Sequence, residues 1–163
     1  TDNIEGALEL YDYFFEIGKE FNLKPGAPNH PERIEGGLLS YGSDMDIFDN
    51  PFECGFDKYV DLDSDIVFLG KENLKKIKEN GIKKKLMGVK IESKFIDVAQ
   101  GIPILDLKDN KIGQLRSAAY SPKFNKVVGI AMIEKNFWEI SKKFKINVDG
   151  NFVSGETCNL PIE

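Results

Sequence analysis

From Lys83 to the C-terminus the chain reads as short apolar runs punctuated by turns, and that rhythm constrains its fold more than any other feature. Residues 86–91, 102–105, 112–117, 127–133, 144–148 and 152–154 each have the length and β-branched content of a strand. Turn dipeptides separate them: Asp109-Asn110, Ser121-Pro122 and Asp149-Gly150. Asp149-Gly150 lies between two β-like runs and is the strongest hairpin signal, because a type I′ turn needs residues that accept positive φ. Residues 134–142 read as a short helical insert. Six strands within roughly 80 residues predict a small antiparallel barrel or sandwich.

The front of the chain has a different pattern. Residues 4–21 predict an amphipathic helix, with Ile4, Leu8, Tyr11, Phe15 and Ile17 near one face. Asp2 followed by Glu5 has the form of a capping box. Pro25, Gly26, Pro28 and Pro31 then stop the helix and predict a loop running to Arg33. Residues 34–41 read as a short helix or a turn with an apolar centre. An acid-rich loop follows over 44–65, with a strand candidate at 56–60. Residues 70–79 predict an exposed helix with Glu72→Lys76 spacing and a Leu69/Leu74/Ile77 side, stopped by Asn80-Gly81. The pattern changes near 81–84. The expected class is α+β, with a helical, loop-rich unit over 1–82 and a β domain over 83–163.

At 163 residues, 41% hydrophobic and 30% charged, the composition is that of an ordinary globular chain. No run approaches the roughly 20 apolar residues that a membrane span needs. The chain opens TDNIEG, without the basic and apolar regions of a signal peptide, so a cytoplasmic location is expected. It also opens without Met, which suggests a piece of a longer protein. Cys54 and Cys158 are far apart, a pattern that favours two free thiols over one disulfide. His30 is the only histidine, so no zinc pattern exists. The net charge of −5 hides a division: residues 1–65 hold 16 acidic and 4 basic residues, the remainder 11 and 18. The acidic balance and absent motifs argue against nucleic acid as a partner.

Few residues stand out as candidates for chemistry. Arg33 and Arg116 are the only arginines among 22 basic residues, and Arg is kept where planar, forked contact matters. Glu35 precedes Gly36-Gly37, a pair that lets a backbone or a flat ligand approach closely. Its carboxylate suits a ligand edge with two adjacent N–H donors, or else a surface ion pair with Arg33. Tyr41, before Gly42, is placed to stack on a ring or to pack in the core. Glu53, in a Pro-Phe-Glu-Cys-Gly loop, points into a pocket or faces water. Lys84 belongs to a three-lysine run and Arg116 to a predicted strand. Each has an anion-binding and a surface or structural reading. No P-loop, GxGxxG, GxSxG or metal spacing is present.

Four segments carry a family likeness: RIEGGLLSYGSDMD, NPFECGFDKYVDLDSDIVFLGKENL, KKKLMGVKI and IGQLRSAAYSPKFNKVVGIAMI. In this order they resemble the aminomethyltransferase family, the T-proteins of the glycine cleavage system and their relatives. IEGGLLSYG, DNPFECGFDKYV and RSAAYSPKF resemble a subgroup, the tetrahydrofolate-dependent dimethylsulfoniopropionate demethylases. The resemblance implies the end of a folate-binding α/β domain over 1–82, then a six-stranded antiparallel β-barrel domain over 83–163. It implies tetrahydrofolate as cofactor, with Glu35 gripping the pterin edge and Tyr41 and Glu53 nearby. Lys84 falls where relatives often carry Arg, and Arg116 where T-proteins more often carry Thr. The family is about twice this length, so an N-terminal half with the catalytic aspartate of T-proteins is expected to be missing. The implied reaction moves a methyl group from a sulfonium to N5 of tetrahydrofolate. The alternatives are aminomethyl transfer, or a non-catalytic folate-binding or interaction fragment that is inactive alone. Exposed apolar surface in such a fragment would favour a homodimer.

Overall fold

A computed structural model describes residues 3–26, 29–97 and 101–163. The six predicted strands are all present: β1 (Lys84–Ile91), β2 (Ile102–Leu105), β3 (Lys111–Ser121), β4 (Lys126–Glu134), β5 (Lys143–Val148) and β6 (Asn151–Cys158). They close into a barrel in the order β1-β4-β3-β2-β5-β6, every pairing antiparallel, with β6 returning to β1. Closure decides between the two predicted architectures, because a barrel leaves no unpaired edge.

Alternation along the strands fills the interior. Val89, Ile91, Ile104, Leu115, Val127, Phe144 and Ile146 are fully buried in one cluster. Gly155 lets the Phe144 ring approach β6 closely, since a Cβ there would overlap the ring. The β5–β6 hairpin turns at Asp149 (φ 50°) and Gly150 (φ 85°), the two positive values that a type I′ turn requires. β4 departs from alternation and is buried from Val127 to Ile133. Its inner residues fill the barrel, while Val128 and Ile130 lie in a second cluster with Ile34, Cys158 and Ile162.

Ile34 belongs to α2 (His30–Glu35), which starts earlier than the sequence pattern predicts. The helix begins at His30, inside the predicted loop. Asn29 caps it: the Asn29 side chain accepts from the Glu32 N–H at 2.9 Å, and Glu32 accepts from the Asn29 N–H at 3.1 Å. The helix ends at Glu35, and of the two readings for 34–41, short helix or turn, the turn holds after it, at Gly36-Gly37, followed by loop and one bridge between Tyr41 and Met45. The C-terminal segment closes over this joint, and the Ile162 N–H donates to Glu35 O at 2.8 Å.

Two further expectations are corrected. The strand candidate at 56–60 is a 3₁₀ turn, Asp57–Tyr59, and the helical insert is only a 3₁₀ turn, Lys135–Phe137. In both, no strand or helix partner rewards the longer element. α1 spans Ile4–Ile17, followed by a 3₁₀ turn at Lys19–Phe21. The predicted cap Asp2 lies outside the described residues. The described cap is Asn3, whose side chain accepts from the Gly6 N–H at 2.6 Å. α3 spans Lys71–Asn80, and in it Glu72 pairs with Lys75 at 3.0 Å, one residue short of the expected spacing. Lys71 is buried and donates to the carbonyls of Ser64 and Ile66. No helix among the described residues is long and apolar enough to cross a membrane.

Candidate functional site

The loop between α2 and α3 is held against β1 and β3 by two polar networks. In the first, the Arg33 guanidinium donates to Asp44 Oδ2 at 2.7 Å, to Leu38 O at 2.7 Å and to Ser117 Oγ at 3.2 Å. Asp44 is fully buried, and it also accepts from the Ser40 N–H at 2.7 Å and from the Ser117 hydroxyl. One buried carboxylate therefore receives donors from α2, the loop and β3. Arg33 is engaged with Asp44 and makes no ion pair with Glu35.

The second network gathers three of the five predicted residues, Glu53, Lys84 and Arg116, around Asp49, which is not one of the five. Asp49 has a fully buried carboxylate and accepts from Lys84 Nζ at 2.6 Å and from Arg116 Nη2 at 3.4 Å. Arg116 also lies 3.7 Å from Asp46, and Lys84 lies 3.7 Å from Glu53. Burial works against ionisation of Asp49, but it is outweighed. The Lys84 hydrogen bond, the Asp46 N–H and the charges of Lys84 and Arg116 hold the carboxyl below its ordinary range. Lys84 and Arg116 thus neutralise carboxylates of their own chain.

A bulge in β3 explains how Arg116 reaches this position. Leu115 pairs with Ala131 and Ser117 with Ile130, so Arg116 is the extra residue. A bulge re-aims a side chain out of strict alternation. Arg116 Nε is buried with no hydrogen-bond partner among the described residues. Glu53 is buried as well. Its carboxylate accepts from the Asn50 N–H at 3.2 Å, and its backbone O accepts from the Leu86 N–H at 2.8 Å. It closes the turn and ties it to β1.

Glu35 and Tyr41 stand outside both networks. Glu35 is half-buried at the end of α2, and its carboxylate has no hydrogen-bond or ion-pair partner among the described residues. The glycine pair after it admits another backbone: Gly37, at φ 65°, faces Leu160 and Pro161 closely enough that a Cβ would lie 3.3 Å from Leu160. Tyr41 is 66% exposed and makes no ring contact among the described residues. Beside these elements lies a cleft of about 880 Å³, walled by Gly36 to Leu39, the 52–59 loop, the start of β1, Trp138 and residues 158–161. Cys54 and Cys158 line it as free thiols. Burial pushes both up to about 11, helped at Cys54 by Asp49 and Glu53, so neither is a thiolate at neutral pH.

Three side chains that build this region, Asp44, Asp49 and Trp138, are not among the five predicted residues, although Asp44 and Asp49 fall within the family-like segments RIEGGLLSYGSDMD and DNPFECGFDKYV. The signal for the two aspartates is the pair of rare arginines, each of which needs a carboxylate from the acid-rich loop.

The closed antiparallel barrel fixes the class first. It recurs in the glycine cleavage system aminomethyltransferase T from Bartonella henselae, with a TM-score of 0.72, 19% identity, and 80% of this chain matched to 37% of that one. The family follows from sequence. Residues 84–162 match the glycine cleavage T-protein C-terminal barrel domain. Among curated proteins, the chain is 33% identical to the dimethylsulfoniopropionate demethylase DmdA of Ruegeria pomeroyi over 138 residues, covering 85% of this chain and 37% of that protein. It is 35% identical to an aminomethyltransferase of Clostridium botulinum over 148 residues, covering 88% and 39%. An aminomethyltransferase of Thermoanaerobacter pseudethanolicus is 32% identical over 146 residues, covering 86% and 38%. The chain spans well under half the length of the curated relatives that it matches.

Proposed function

We propose that this chain supplies the C-terminal part of a tetrahydrofolate-dependent methyl- or aminomethyltransferase, and that Glu35 is its contact to the pterin edge. The observation that carries this reading is the uncommitted carboxylate of Glu35. Glu32, Arg33, Asp44, Asp49 and Glu53 around it are all engaged in hydrogen bonds or ion pairs. A half-buried carboxylate without a partner suits two adjacent N–H donors of a flat heterocycle, in a charge-assisted fork. Tyr41, exposed on the loop that follows, offers a ring face to the same ligand. Lys84, Arg116 and Glu53 then serve the site indirectly, by fixing the loop that carries Tyr41. In this reading residues 1–82 end a folate-binding domain, residues 83–163 form the barrel domain, and the protein works in the cytoplasm.

For the reaction, the finer reading is methyl transfer from a sulfonium to N5 of tetrahydrofolate, as the likeness to the demethylase supports. A sulfonium needs little activation because a neutral thioether leaves, so the protein's task is orientation and exclusion of water. Aminomethyl transfer is the second reading, favoured by the comparable identity to two aminomethyltransferases. Glu35, Tyr41, Glu53, Lys84 and Arg116 suit both reactions alike, because in this reading they serve the folate and not the group that is transferred.

Calorimetric titration of the chain with tetrahydrofolate tests the clamp. Binding should weaken by about 1.5–3 kcal/mol in Glu35→Gln, the worth of a charge-assisted hydrogen bond. An affinity unchanged in Glu35→Gln removes Glu35 from the site.

A further inference from the structure

The turn between β3 and β4 carries cations that neither polar network uses, and the folate reading gives residues 120–125 no role. The turn is firmly built. Ser121 is fully buried, and its Oγ accepts from the Phe124 N–H at 3.2 Å. Lys94 reaches over from the segment after β1. It donates to Asn125 O at 3.1 Å, to the Asn125 side chain and to Tyr120 Oη at 3.4 Å, all neutral acceptors. Lys90, Lys94 and Lys123 have no carboxylate partner among the described residues. Lys90 donates only to a backbone oxygen, that of Glu163. It lies opposite Glu156 in the β1–β6 ladder, but that carboxylate is bonded to Lys143 at 2.7 Å, and Glu92 is bonded to Lys126 at 2.6 Å. The ammoniums of Lys90 and Lys123 each lie 4.7 Å from the centroid of the Phe124 ring, so they are no farther apart than twice that distance. Like charges held this close repel, and an anion that contacts both relieves the repulsion.

The kind of cation narrows the ligand. Both arginines, whose planar forks match carboxylates, are engaged with Asp44 and Asp49. At the turn stand only ammoniums, point charges with rotatable donors and no plane. They suit a tetrahedral oxoanion of more than one charge, which accepts from several directions. Both stems already rest on an aromatic face, which lowers the entropic cost of holding such an anion. We propose that the β3–β4 turn binds a phosphoryl group, with Lys90 and Lys123 contacting its oxygens and Lys94 fixing the turn that presents Lys123. The site is independent of the folate reading.

The probe is inorganic phosphate, titrated into the whole chain against sodium chloride of equal ionic strength, with amide NMR shifts as the readout. Screening is the same in both salts, so a response to phosphate alone reports binding. Saturable shifts are expected in residues 88–94 and 120–126, with an affinity in the millimolar range. That affinity should fall at least fivefold in Lys90→Met and in Lys123→Met, where methionine keeps an apolar stem against Phe124. Lys111→Met, at the far end of β3, should leave it unchanged. Shifts that do not saturate, or that chloride reproduces, overturn the proposal, as does an affinity unchanged in both variants. A second arm separates the two sources of a phosphoryl group. Co-sedimentation with phosphatidic acid vesicles, lost in both variants, assigns a lipid headgroup. Saturation by free phosphate without vesicle binding assigns a soluble phosphoryl compound.

Discussion

The barrel and the front of the chain use their apolar residues in opposite ways. In the barrel Phe144, Ile146 and Val127 are sealed from water. In the front, α1 buries none of its residues, and Ile4, Phe48, Val67 and Leu69 are 80% exposed or more. Beyond a few buried residues such as Ile34, Phe52 and Leu62, loop order there comes from polar ties to the barrel: Arg33 to Asp44 and Ser117, Lys84 and Arg116 to Asp49. The comparison teaches that a segment with little core of its own can be placed by a few apolar anchors such as Ile34 and by buried charges that find partners on a neighbour.

α1 shows what the front lacks. Glu5, Glu9, Asp12 and Glu16 recur at the spacing of one helical stripe, and nearly all the remaining circumference is apolar. A helix apolar over so wide an arc is built for burial on more than one side.

The contrast can be broken in four places, in descending order of effect. Phe144→Ala should cost about 3–5 kcal/mol, read as a shift of the urea midpoint, because it empties the middle of a closed barrel. A loss near zero would mean that the barrel is not the cooperative core. Asp44→Ala should cost about 2–4 kcal/mol, since it strands Arg33 and Ser117 at the joint. If hydrogen exchange then rises in residues 36–50 and leaves the strands protected, the front is held as described. Equal loosening of both regions would dissolve the distinction.

Acid should act next. Asp49 is held below its ordinary value when folded, so its contribution is complete above the unfolded carboxylate pKa and is lost as pH falls through the folded one. Protection of the 46–53 loop should therefore drop below about pH 4, the reference value for an aspartate. In Asp49→Asn the loop should be loosened already at neutral pH, with a flatter acid response. A loop equally protected at both pH values argues that Asp49 is not its anchor. Smallest is Phe14→Ala, expected to change the stability of this chain by less than about 0.5 kcal/mol, as for a surface substitution. A loss of about 2 kcal/mol or more, approaching the roughly 3–5 kcal/mol of a buried Phe, would show that α1 is covered in solution.

Much of the fold was legible in the sequence. All six strands and the Asp149-Gly150 hairpin follow from short β-branched runs and turn residues, which act over a few neighbours. The start of α2 was legible too, in the capping box of Asn29 and Glu32, but the prolines around it read more loudly as loop. At the site, Glu35 was visible as an unusual carboxylate before a glycine pair. The partners of Lys84, Arg116 and Arg33 were not, because Asp49 lies 35 residues from Lys84 and 67 from Arg116 in the chain.

The sequence by itself determined the strand series, the turns between them and the match of residues 84–162 to the T-protein barrel domain. These rest on local residue preferences and on motifs. Only the tertiary structure decided that the strands close into a barrel, that the β3 bulge aims Arg116 at Asp49, and that Glu35, unlike Asp44, Asp49 and Glu53, keeps its charge unpaired among the described residues. Those outcomes depend on which distant side chains meet, and a buried charge takes whichever partner the packing brings within reach.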